Sequence, residues 1–145
     1  MKDKDHFRAL ERMYLAAPIN EIFNPQITVT TERADITIEV KRSLFHSAGA
    51  VHGSVYFKMM DDAAFFAANS IVPDFFVLTT SFTTYMTKPI SSGRMKSVGK
   101  VVTKGKKQII AEAVVYDTHG EEIGRGSGIF VRSSIPLSDA WGYSE

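Results

Sequence analysis

The sequence predicts an α+β domain: a curved, mostly antiparallel sheet wrapped around one long central helix, with a further helix at the N-terminus. Three observations predict it. Residues 53–70 (GSVYFKMMDDAAFFAANS) form an apolar run long enough for about five helical turns. Residues 26–41 alternate apolar and polar side chains with the period of two that marks strands, and residues 75–132 hold further strand-like runs, the first rich in β-branched and aromatic residues, separated by glycine- and proline-containing turns. Runs of strands flanking a single helix indicate an antiparallel sheet rather than parallel crossover units.

Composition sets the limits. A chain of 145 residues, 44% hydrophobic and 23% charged, can build one core and reads as a single domain over 1–145. The net charge of +1 is too small to mark a nucleic-acid binder. With no cysteine, disulfides, thiolate metal ligands and thiol nucleophiles are excluded, which fits a reducing compartment. The charged start MKDKDHFRALER has no apolar signal core, and no stretch nears the roughly 20 apolar residues of a membrane span. A cytoplasmic location is expected.

Residues 3–17 read as an amphipathic helix, because Phe7, Leu10, Met13 and Tyr14 recur at helical spacing. Pro18 ends it, and the helix is expected to lie over an open end of the sheet. Residues 19–25 read as loop. Ile27 and Val29 alternate with threonines, and Ile36, Ile38 and Val40 with polar residues. The polar stretch 32–35 between them reads as a hairpin turn. After the long helix, residues 75–87 (FFVLTTSFTTYMT) are rich in β-branched and aromatic residues and read as a strand. Residues 94–104 and 107–117 read as a pair joined at Gly105, and 121–132 as the last strand, the four being linked by hairpins. In that last strand Gly124, Gly126 and Gly128 occupy one face, which marks close approach by another backbone or side chain. Residues 133–145 are set apart as a polar tail.

The central helix carries two adjacent carboxylates, and charge inside an apolar helix is costly unless it is paired or used. Helical spacing separates the two. Asp62 has Lys58 one turn back and Asn69 two turns on, so a local ion pair accounts for it. Asp61 shares its face with Phe57, Ala64, Phe65 and Ala68, with no cation within a turn. That leaves Asp61 for catalysis, for an interface, or for a partner distant in sequence. Gly49, His52 and Gly53 precede the first turn of the same helix. A helix start offers free N–H groups and the positive end of the dipole, and glycine lets a ligand come close to them. The combination suits a developing oxyanion, with a carboxylate on the same helix as base or nucleophile. A purely structural account of His52 is that it caps the helix. The four histidines, His6, His46, His52 and His119, show no zinc-ligand spacing.

Gly49-x-x-His52-Gly53, with Asp61 further along the same helix, resembles the hotdog-fold acyl-CoA thioesterases, most of all the phenylacetic-acid-degradation (PaaI-like) branch, whose motif reads roughly N-x-x-G-x-x-H-G-G. The similarity covers about residues 26–132 and includes the strand after the helix, VLTTSFTTYMTKPI. The resemblance implies a hotdog core over 26–132, with Asp61 as general base or nucleophile on the thioester carbon. It further implies that the Gly53 N–H polarises the carbonyl, that His52 lies near the sulfur, and that Thr79 helps to orient water. His46 stands where the family has asparagine, and Ser54 where it has the second glycine; His46 can still donate an N–H to the carbonyl. The implied assembly is a homodimer or a dimer of dimers, with the site between subunits. The implied substrate is an acyl-CoA, and no cofactor or metal is expected. Phe57, Phe65, Phe66 and Tyr85 would line the acyl pocket, whose large rings suit a medium or aromatic chain. Lys96, Lys104 and Lys106, together with Lys88, Arg94, Lys100 and Lys107, are candidates for the coenzyme A phosphates, although exposed hairpin lysines are commonly only solvated. Two other functions fit the same fold. One is a non-catalytic acyl-CoA-binding protein. The other is an acyl-thioester hydratase or dehydratase, for which Asp61 lies deep in the helix, about 12 Å of axial rise beyond Gly53.

Overall fold

The computed structural model describes residues 2–144. Helix α1 (Lys2–Ala16) is followed by a single turn α2 (Asn20–Phe23), strands β1 (Gln26–Thr30) and β2 (Arg33–Glu39), and the long helix α3 (Gly53–Asn69). Strands β3 (Phe75–Met86), β4 (Arg94–Lys104), β5 (Gln108–Tyr116) and β6 (Glu122–Pro136) complete the chain. All six strands form one antiparallel sheet in the order β1-β2-β4-β5-β6-β3. The sheet wraps α3, as the alternation of its residues requires. Met95, Ser97, Gly99, Ile109, Ala111, Ala113 and Val115 point inward and are buried, while Lys96, Val98, Ile110, Glu112 and Val114 between them lie on the more exposed outer face.

The contact between α3 and the sheet is set by small residues. Ala63, Ala64, Ala67 and Ala68 are fully buried. At Gly99 on β4 even a Cβ would sit 2.2 Å from the Ala63 carbonyl oxygen, so the helix backbone lies directly on the strand. The expected close approach along β6 is present too. The Phe82 ring from β3 covers Gly126 and Gly128, where a Cβ would come within 2.8 Å and 2.3 Å of ring carbons.

Four sequence readings are corrected. The first hairpin turn is only Thr31-Glu32: Thr30 pairs with Arg33, Glu32 takes φ 61°, and Ala34 is a fully buried strand residue. Arg33 and Asp35 are polar because they pair with each other on the outer face, not because the chain turns there. The connection from β3 to β4 is no hairpin. β3 lies beside β6 at one edge while β4 sits between β2 and β5, and residues 87–93 cross between them. Residues 133–136 extend β6, and Leu137 in the short 3-10 turn that follows is buried, so the tail is part of the body. Within the segment read as loop, α2 forms a helical turn.

The two sheet edges are treated differently. At β1, α1 supplies the missing partners: Arg8 donates to the Val29 carbonyl and Glu11 accepts from the Val29 N–H. Such cover blunts an edge strand. At the other edge, β3 is 12 residues long and carries no charge and no proline. His6 ties the ends of the chain to the helix. Its Nε2 donates to the Asn69 carbonyl at the end of α3, and its Nδ1 accepts from the Tyr143 hydroxyl, a tautomer assigned from these partners.

Gly99→Ala is expected to cost about 3 kcal/mol, the upper range for overpacking, since backbone rather than a flexible side chain blocks the methyl. A urea midpoint unchanged from wild type at equal protein concentration would show that α3 can lift off β4 without penalty.

Candidate active site

The loop that starts α3 is stitched down by its backbone. The Val51 N–H donates to the Ile90 carbonyl, and the His52 N–H to the Leu44 carbonyl. His52 is the N-cap: its Nδ1 accepts from the Ser54 N–H at 3.0 Å and meets the Ser54 hydroxyl at 2.8 Å. The capping account of His52 therefore holds, and by this bonding the proton sits on Nε2. His46 is similar, since its Nδ1 accepts from the Ala48 N–H at 3.1 Å and leaves Nε2–H as the donor. His46 and Gly53 line one cavity of about 260 Å³, with Val51, Tyr56, Met86 and Lys88. A Cβ on residue 53 would meet only the flexible end of Met86, so packing within the chain does not by itself demand glycine there.

Asp61 lies elsewhere. It lines a larger cavity of about 580 Å³ with Phe65, Phe66, Phe76, Leu78 and Thr79 on one side, and residues from α1, α2 and the C-terminal segment on the other. The Thr79 hydroxyl donates to Asp61 Oδ1 at 2.9 Å; Oδ2 has no hydrogen-bond partner among the described residues. Burial pushes the Asp61 carboxyl up from 3.8 to about 6. The Thr79 bond opposes that shift, the neighbouring Asp62 adds to it, and Lys58 opposes it. An acid that titrates near neutrality, in a cleft, is suited to proton transfer.

Asp62 is accounted for locally, and by more than helical spacing showed. Its Oδ2 accepts from Lys58 and, at 2.7 Å, from the Tyr14 hydroxyl. Lys58 also donates to Asn20 Oδ1 at 2.9 Å and packs against the rings of Tyr14 and Phe23. Burial raises the Tyr14 pKa further above its ordinary value, so the phenol stays a donor to Asp62. Asn69, expected near Asp62, instead binds the start of β3: it accepts from the Val77 N–H and donates to the Val72 and Phe75 carbonyls.

Of the residues singled out in the sequence, Asp61, Thr79, Phe65 and Phe66 therefore share one cavity, and His46, Gly53 and Lys88 the other. Ser54 and His52 are exposed at the helix start. Phe57 and Tyr85 line neither cavity. Phe57 stacks edge-on with Phe82, and Tyr85 pairs with Arg125 in an exposed register position. Lys96, Lys104 and Lys106 are also away from both; Lys96 is paired with Asp35, and Lys104 with Glu32. The residues that sequence reasoning missed are the far wall: Asn20, Ile135, Asp139 and Trp141. Their only signal was polarity or apolar content in segments read as loop and tail. Among the described residues, no three acidic or histidine side chains cluster as a metal site, and no helix is long and apolar enough to cross a membrane.

A family model described as the thioesterase superfamily matches residues 48–123, just over half of the chain. The chain belongs to the thioesterase superfamily. Among solved structures it is similar to the Escherichia coli PaaI protein from the phenylacetic acid degradation operon, with a TM-score of 0.85 and 15% identity, covering 94% of this chain and 99% of that one. A thioesterase family protein from Silicibacter pomeroyi superimposes with a TM-score of 0.79 at 23% identity, covering 87% and 96%. A conserved protein from Pseudomonas aeruginosa does so at 0.78 and 18% identity, covering 84% and 98%. At these identities the shared property is the hotdog fold, a curved antiparallel sheet around a central helix. No curated protein matches the sequence.

The raised pKa of Asp61 fixes the sign of a stability effect. The folded state disfavours the ionised form, so stability falls as pH rises from about 4 through about 6, and the cost is full above that. Asp61→Asn is expected to be more stable than wild type at pH 8 by about 1–2 kcal/mol, a figure reduced for partial solvent exposure. The advantage should vanish near pH 4. A variant less stable than wild type at pH 8 would mean that the carboxylate is held by attractions rather than strained by burial.

Proposed function

We propose that this protein hydrolyses the thioester of an acyl-CoA, within the PaaI-like branch of its superfamily. The observation that carries the reading is Asp61: a half-buried carboxylate with one oxygen held by Thr79 and the other free, at the wall of an apolar cavity. In the proposed reaction, ionised Asp61 takes a proton from water, and the hydroxide attacks the thioester carbon. The tetrahedral oxyanion is stabilised by the N–H of Gly53, with His46 Nε2–H as a second donor. The C–S bond then breaks, the electron pair leaves on sulfur, and the proton passes to the thiolate. The products are a carboxylic acid and free coenzyme A. The step is complete without a cofactor, and the cysteine-free chain suits the reducing cytoplasm.

Asp61 and Gly53 line different cavities of one chain, so the proposed site needs two copies. The bare edge of β3 supplies the means. Asp61 is bonded near the first half of β3, whereas Gly53 lies against Met86 at its end. Antiparallel pairing of two β3 strands sets the Met86 end of one beside the first half of the other, and so brings one protomer's Gly53 towards the other's Asp61. Lys88 is paired with Glu121 as Lys96 is with Asp35 and Lys104 with Glu32, but by its position beside Gly53 it is the basic residue best placed for a coenzyme A phosphate, ahead of Lys96, Lys104 and Lys106. The local bonding of His46 and the serine at position 54 favour a second reading, a protein that binds acyl-CoA without turning it over.

Thiol release from a panel of acyl-CoAs tests the reaction. Wild type should turn over at least one ester, and Asp61→Asn should lose about 100-fold or more while remaining folded, the range for a missing general base. Activity should rise with pH through about 6 and then level off, because the ionised carboxylate is the active form. Full activity in Asp61→Asn would remove the carboxylate from the mechanism, and binding without turnover would favour the second reading. Sedimentation should give a mass of twice 16.1 kDa or an even multiple of it; a monomer that hydrolyses esters would refute the shared site.

A further inference from the structure

The cavity beside Asp61 has a charge pattern that the reaction does not require. Its walls are mainly apolar and aromatic, from Met13 and Tyr14 of α1 to Phe65, Phe76 and Trp141. Four charged residues line it: Lys58, Asp61, Asp62 and Asp139. Lys58 is the one cation among them, and it is fully used. An ammonium has three donors. Those of Lys58 are directed at Asp62 Oδ2, at Asn20 Oδ1 and, at 3.4 Å, at the Tyr14 hydroxyl. Two aromatic rings, Tyr14 and Phe23, cover it as well. On the other side of the ledger, Asp61 has no ion-pair partner, and Asp62 Oδ1 has no hydrogen-bond partner among the described residues.

We infer that this pocket selects uncharged acyl groups and rejects acyl groups ending in a carboxylate, with the Asp62–Lys58 pair as the element that sets the choice. The inference rests on the thioesterase reading for the identity of the ligand as an acyl chain. An incoming terminal carboxylate would meet uncompensated negative charge on an apolar surface, and burying an unpaired ion is costly. To find a donor it would have to take one from Asp62, leaving that carboxylate unpaired instead. A methyl-terminated chain pays neither penalty and fills the apolar volume. The pocket is thus built so that its cation balances the protein's own carboxylate and is withheld from the ligand. Removing the charge of Asp62 would free Lys58 for a ligand anion; removing that of Lys58 would deepen the negative field.

The test compares octanoyl-CoA with suberyl-CoA, its counterpart of equal length bearing a terminal carboxylate, in wild type, Asp62→Asn and Lys58→Gln. Two readouts are taken: kcat/KM from thiol release, and binding from the fluorescence of Trp141, the only tryptophan in the chain, at the cavity wall. Wild type is expected to prefer the octanoyl ester at least tenfold. Asp62→Asn should shrink that preference at least tenfold, and Lys58→Gln should widen it. The opposite directions keep the inference testable when one variant fails to fold. Equal preference in wild type and in whichever variants fold overturns it. Hydrolysis of both esters without discrimination also overturns it and leaves the thioesterase reading intact. Discrimination in binding that follows the same order of variants, without thiol release, upholds the pocket and removes the hydrolysis. Neither binding nor release with either ester overturns both.

Discussion

The backbone of α3 rests directly on β4, and much else follows from that contact. Gly99 and the alanines at 63, 64, 67 and 68 remove the side chains that would hold helix and sheet apart. A helix so close to the sheet buries nearly all of one side, and the remaining side must carry whatever polar groups the chain can account for. Asp61 and Asp62 lie at that boundary, burial intermediate in both, where a carboxylate can be desolvated without being sealed in. The same contact sets the height of the helix start, which places Gly53 against the last residue of β3.

Adjacent in sequence, the two carboxylates have opposite circumstances. Asp62 is met by an ammonium and a phenol, drawn from its own helix and from α1. Asp61 is met by one threonine hydroxyl and has no ion-pair partner among the described residues, in a cavity whose walls are mainly apolar. The first arrangement holds α1 against the helix, while the second leaves a group poised to change charge near neutral pH. Placing them side by side carries a cost, because each raises the energy of the other's anion; Lys58 offsets that cost and keeps Asp61 ionisable in the working range.

The sheet edges show a comparable division. β1 is short, and α1 supplies both its free N–H and its free carbonyl with partners at Val29. β3 is long and uncharged, and presents Leu78, Tyr85 and Met86 to the surface. A folded chain that guards one edge and leaves the other open is prepared for strand pairing at the open edge. In the proposed mechanism the helix start and the carboxylate, too far apart along α3 to act together, would be halves of a site completed by a second copy.

The sequence by itself determined the elements whose causes are local. Alternation and β-branched, aromatic content placed the strands, a long and mainly apolar run placed α3, and the lack of a nearby cation singled out Asp61 while the i to i+4 spacing excused Asp62. Where a local pattern had two causes, it misled: the polar residues Arg33 and Asp35 mark an outer strand face, and the polar end of the chain hides Leu137 in the core. Only the tertiary structure decided which strands are neighbours, that Tyr14 and Asn20 complete the pair on α3, and that Gly53 and Asp61 open into separate cavities. These depend on contacts between residues far apart in the chain, and periodicity, which reports only which face of an element is buried, carries no information about what that face is buried against.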